Sequence, residues 1–183
     1  LVHEEPVELD GRGDDFWYTG PTITTMDDGR LLIAYKRDDD QSSRDPDTEI
    51  VHRIYDPQTQ SDGGLTVAAR GSALDSRGAD ADIWVDDSVT LSNGKIALVG
   101  HADTPSDGQK VWGKVLNANG STAGNATFTI DGGGDYGKAR VASLSQSDAF
   151  VVVWSEETGN ARDIRARIYS ENGTPVPFTI ASA

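Results

Sequence analysis

SNGKIALVG, residues 92–100, sets a glycine turn in front of a short apolar run. The same layout occurs twice more, as DDGRLLIAY (27–35) and QSDAFVVVW (146–154). Gly29, Gly94 and Asp148 align, as do Tyr35, Gly100 and Trp154. A strand-like run precedes each anchor: PTITTM, SVTL and RVASL. An alternating run follows each: IVHRIYD (50–56), VWGKVLN (111–117) and IRARIYS (164–170). Period-two alternation marks β-strands. It puts Ile50, His52 and Ile54 on one face, with Val111, Gly113 and Val115, and Ile164, Ala166 and Ile168, as the matching sets. Arg53, Lys114 and Arg167 fall on the other face and predict a cationic outer column. A turn (DPQTQSDGG, NANGSTAG, ENGTPVP) and a fourth short strand (LTVAA, TFTID, PFTIA) complete each unit.

Four strands per unit, repeated at anchor spacings of 65 and 54 residues, predict an all-β, propeller-type fold with three four-stranded antiparallel blades. A β-sandwich is the alternative. No stretch has the 3.6-residue periodicity and caps of a helix. The chain reads as one domain: 1–11 an extra outer strand, 12–71 the first blade, 72–131 the second and 132–183 the third. PVELDG at the start matches FTIDGG at 128–133, and Phe178-Thr179-Ile180 ends the chain on another fourth strand. Three blades cannot close a ring of four to eight, which leaves bare edges. Self-association as a six-blade dimer, or the remainder of a larger chain, would close it. The first residue is Leu1 rather than Met, which reads as a piece of something longer.

The chain carries 30 acidic against 16 basic residues, for a net charge of −14. Asp supplies 23 of the acids, and Arg (11) outnumbers Lys (5). Such a surface repels nucleic acid and anionic membrane and suits a high-salt or calcium-rich exterior. No apolar run is long enough to span a bilayer, so membrane insertion is not expected. With no cysteine, disulfides and thiol chemistry are excluded.

The predicted blade junctions read DGRGDDFW (10–17), DSRGADADIW (75–84) and DGGGDYG (131–137). Arg12-Gly13-Asp14 is therefore the first copy of a recurring connector rather than an isolated adhesion triplet. Glycines there permit positive φ in a sharp reversal, and aspartates cap it. Connectors of this kind gather on one face near the channel. That predicts a binding face of Arg12, Asp14, Trp17, Arg77, Asp80, Trp84, Asp135 and Tyr136. Aromatic rings beside carboxylates and guanidinium groups can hold a sugar ring. Asp14, Asp80, Asp82 and Asp135 are candidate ligands for Ca²⁺, which prefers hard oxygen donors. The sequence has no EF-hand loop, and its three histidines (His3, His52, His101) lack zinc-site spacing. His52 reads as a packed histidine.

The third unit, RVASLSQSDAFVVVWSEETGNARDIRARIYSENGTPVPFTI, resembles the tandem repeat of large secreted bacterial adhesin and hemolysin-type calcium-dependent proteins. The first, YTGPTITTMDDGRLLIAYKRDDDQ…IVHRIYDPQTQSDGG, is similar to the sialidase-type propeller repeat, although YTGP lacks the Arg of the Arg-Ile-Pro that sialidases carry there. Both resemblances imply a propeller and leave the ligand open. The expected role is a non-catalytic extracellular or cell-surface module with a carbohydrate or cell-surface partner. The alternatives are part of a propeller glycoside hydrolase or lyase, and a structural repeat segment of a large adhesin.

Overall fold

The computed structural model describes residues 16–39, 48–122, 127–132, 134–145, 147–158 and 161–177. Among them the protein is all-β apart from one 3₁₀ turn, Gly71–Ala73. The first sheet runs β1 (Phe16–Thr25), β2 (Leu31–Asp39) and β3 (Glu49–Asp56); β4 (Ser61–Asp62) and β5 (Thr66–Arg70) share the far edge of β3. The second runs β6 (Asp82–Thr90), β7 (Ile96–Thr104), β8 (Gly108–Leu116) and β9 (Phe128–Gly132). In the third, β10 (Asp135–Tyr136) and β11 (Arg140–Ser143) share one edge of β12 (Phe150–Thr158), followed by β13 (Ala161–Tyr169) and β14 (Pro175–Val176). Each sheet is therefore four strand positions wide, in chain order and antiparallel, as the repeat predicts. The expected last strand, Phe178-Thr179-Ile180, and the opening PVELDG lie outside the described residues.

The anchor turns repeat in their hydrogen bonds. Met26 N–H donates to Arg30 O (2.8 Å) and Leu91 N–H to Lys95 O (2.8 Å). In the third copy Leu144 N–H reaches Ala149 O (2.9 Å), one residue further along. Gly29 and Gly94 sit at φ +86° and +79°, where a side chain would be strained. The longer third turn is why Asp148 can stand at the aligned position.

The inner strands are longer than the sequence suggests. β1 and β6 start at Phe16 and Asp82, inside what read as connectors. Bulges between Thr19 and Thr22 and between Val85 and Asp87 make this possible. Each absorbs the irregular residues, Gly20-Pro21 and Asp86, and lets pairing resume in register. Trp17 and Trp84 consequently belong to strands.

The sheets stack face to face. Leu32, Ala34, Ile50, Ile83, Val85, Ile96, Leu98 and Trp112 form one core cluster between the first and second. Val99, Val111, Val115, Phe150, Val152, Trp154 and Tyr169 form another between the second and third. Between the inner strands, the Thr22 and Ser88 hydroxyls pair at 3.1 Å, and Thr90 Oγ1 donates to Thr25 O (2.8 Å). This stacking overturns the expected cationic outer column at Lys114, while Arg53 stays half-buried on the β3 face opposite Ile50 and Ile54. The middle sheet has neighbours on both faces, so Lys114 is buried, and burial pushes its pKa down. Arg167 donates to Ile130 O (2.7 Å) and lies 5.9 Å from the Trp154 ring. His52 is buried as expected, and desolvation lowers its pKa. Among the described residues no further sheet covers the column Ile164, Ala166, Ile168, and Ile164 is 73% exposed.

Candidate functional site

The second connector is built as a brace. Asp75 accepts from Arg77 N–H (2.8 Å) and Ala79 N–H (3.2 Å), which caps its own turn. Its other oxygen accepts from Ser106 N–H (2.8 Å) in the β7–β8 turn. Asp107 returns the contact, accepting from Ser76 N–H (2.7 Å), Ser76 Oγ (2.7 Å) and Lys110 Nζ (2.7 Å). Burial alone would raise the Asp75 pKa; the three backbone donors outweigh it and the net shift is down. Gly78 turns at φ +68°. Turn capping therefore accounts for this connector's leading aspartate.

Asp107 yields a pH prediction. Its Lys110 and Ser76 hydrogen bonds lower its pKa from 3.8 to about 2. A carboxylate with a depressed folded-state pKa stabilises the fold above its unfolded value and loses that contribution as pH falls through the folded one. Melting temperature should accordingly fall between about pH 4 and pH 2, and Asp107→Asn should flatten that limb. Parallel acid limbs in both proteins would refute the assignment.

At the same end of the molecule, a cleft of about 310 Å³ opens on the first sheet, on the face that Lys36 turns toward the second, lined by Trp17, Thr19, Lys36 and Asp38. Strand geometry assembles it: Trp17 pairs with Asp38 and Thr19 with Lys36, and the two-residue spacing brings all four to one face. Trp17 is 65% exposed. Lys36 is itself buried and crosses to the second sheet. Its Nζ lies 2.9 Å from Asp82 Oδ1, 3.4 Å from Asp38 Oδ2 and 4.5 Å from the centre of the Trp84 ring. Trp84 also stacks on His101, with ring centres 4.7 Å apart and planes 6° from parallel. His101 Nδ1 is 2.9 Å from Asp86 Oδ2. A carboxylate only accepts, so Nδ1 carries the hydrogen. Asp86 also accepts Ala139 N–H (3.0 Å), which ties the second sheet to the third.

The predicted residues separate on this geometry. Lys36 joins Asp82 to Trp84, and Trp17 lines the adjoining cleft. The Trp84 ring is already engaged by His101 and Lys36, which leaves Trp17 as the open aromatic face. Arg77 is exposed on the connector turn, and Asp80 is half-buried in the same connector. Tyr136 belongs to the second core cluster, and its hydroxyl accepts Gly134 N–H (3.1 Å). Its ring packs there because β10 lies against the second sheet, with Tyr136 N–H donating to Gln109 Oε1 (3.0 Å). Arg12 and Asp14 lie outside the described residues, as does the side chain of Asp135. Among the described residues, no group of three or more His, Asp or Glu side chains is placed to hold a metal ion.

Lys36, Thr19, Asp38, Asp86 and His101 are absent from the sequence-derived set. Asp38 opens the acidic run Asp38-Asp39-Asp40. A better signal was the Lys36–Asp38 alternation, which continues the Leu32/Ala34 face of β2.

No family model matches the chain, and no curated protein matches it. Solved structures do. A Hadza microbial sialidase is similar at 14% identity and TM-score 0.59, over 86% of this chain and 36% of that one. A thermostable family-43 glycoside hydrolase is similar at 15% identity and TM-score 0.53, over 96% of this chain and 62% of that one. This chain thus spans roughly a third to two thirds of their lengths. Both are propeller-type folds, which supports the sialidase-type resemblance at the level of fold. The adhesin-type resemblance finds no support in these comparisons.

Proposed function

We propose that the protein is a carbohydrate-binding module that takes a sugar ring into the cleft at the connector end of its first two sheets, without turnover. The observation that carries this reading is the exposed Trp17 ring beside the Asp38 carboxylate in a cleft. A pyranose would stack its C–H face on the indole while its hydroxyls donate to the carboxylates. The acidic surface fits an extracellular setting.

Glycoside hydrolysis is the second reading, favoured by the glycoside hydrolases of similar fold. It requires one carboxyl group to be protonated and donate to the leaving oxygen. Asp38 and Asp82 both accept from the Lys36 ammonium. That suits acceptors better than a general acid.

A glycan array run beside a polysaccharide-hydrolysis screen separates the readings. Binding with no released reducing ends is the expected result. Released reducing ends would establish the hydrolase instead.

A further inference from the structure

The charge arrangement in the cleft specifies the sugar class, provided the carbohydrate reading holds. Among the described lining residues Lys36 is the one cation. Asp38 and Asp82 hold its ammonium at 3.4 Å and 2.9 Å, and both carboxylates keep access to solvent. Asp103 stands directly opposite Asp82 in the β6–β7 ladder and is exposed. Two carboxylates therefore hold one engaged ammonium, and a third, Asp103, stands beside Asp82 on the neighbouring strand, in a protein of net charge −14. Lys36 is also drawn against the Trp84 ring. Turning it to an incoming anion would break two ion pairs and the ring contact together.

We infer that the cleft selects sugars without an anionic group and rejects acidic ones: sialic acids, uronic acids and sulfated sugars. The chemistry is that of acceptors seeking donors. An ionised carboxylate accepts hydrogen bonds and offers none. Neutral hydroxyls can donate to Asp38 and Asp82. A sugar carboxylate or sulfate has no proton to give them and would meet like charge at close range. Like-charge juxtaposition at an interface disfavours the wrong partner. A likeness to a sialidase fold thus does not extend to an acidic ligand here. The specificity resides in side chains that two sheets bring together.

The test uses the full chain and matched pairs of oligosaccharides, neutral against uronic or sialylated, titrated by calorimetry at low and high salt. The expected result is tighter binding of the neutral member by about tenfold or more. That gap should narrow at high salt, as screening weakens the repulsion. Asp38→Asn with Asp82→Asn should weaken neutral binding, since an amide oxygen accepts less strongly than a carboxylate, and should still close much of the gap by removing the repulsion. Preferential binding of the acidic member, or an unchanged gap in the double variant, would overturn the inference and leave the carbohydrate reading standing. Failure to bind any sugar, in a protein with unaltered circular dichroism and melting, would overturn both.

Discussion

Trp112→Ala should remove about 3–5 kcal/mol of stability, the range for deleting a large buried aromatic. Trp112 lies in the middle of β8, fully buried in the first core cluster. Its indole N–H donates to His101 O (3.0 Å), so truncation leaves a void and removes that hydrogen bond. The ring also packs at Gly100, where a Cβ would overlap the Trp84 carbonyl and press on Trp112 Cζ2 at 2.9 Å. Gly100 thus lets β6 approach β7 closely, and Trp112 fills the space beside it. A domain of this kind has about 5–15 kcal/mol in hand, so the variant should be marginal at physiological temperature. Urea titration measures it: the midpoint should drop with little change in slope. Trp112→Phe should recover much of the loss by keeping an aromatic in the gap. A loss from Trp112→Ala below about 1 kcal/mol would be out of line with deletion of a packed core aromatic and would remove the basis for this packing account.

Trp17→Ala addresses the ligand rather than the fold. Trp17 is mostly exposed, so stability should change by no more than about 0.5 kcal/mol. Sugar affinity should fall by about thirtyfold, corresponding to the ~2 kcal/mol at which an interface aromatic counts as a hot spot. Trp17→Phe should restore part of it, since a smaller aromatic face still stacks. Trp84→Ala makes the comparison informative. Its ring supports Lys36 and His101, so the variant should lose stability together with affinity. Equal and small effects of both changes on binding would place the ligand elsewhere.

The braced connector shows how far local reading reached. DSRGADADIW announced a capped, glycine-turned loop, and the structure has one, with Asp75 as cap and Gly78 at positive φ. The local reading also placed the end of that loop wrongly. It assigned Trp84 to the connector, whereas a bulge carries β6 out to Asp82. Bulges are hard to see in a sequence because the added residue breaks the very alternation by which strands are recognised. Tyr136 failed for a different reason. Its position in the repeat matches an exposed site, but β10 packs against the second sheet and buries its ring.

Period-two alternation, recurring glycine turns and the threefold spacing were sufficient by themselves to give the all-β class, the strands and their chain order, because each acts over a few neighbouring residues. The cleft required the assembled sheets. Lys36 meets Asp82 and Trp84 across 46 and 48 positions of chain, and Asp86 reaches Ala139 across 53. Those meetings depend on the angle and distance at which one sheet lies on the next. Core packing between side chains remote in sequence sets both, so the same packing that buried Lys114 of the expected cationic column also brought an ammonium between two carboxylates beside an open indole.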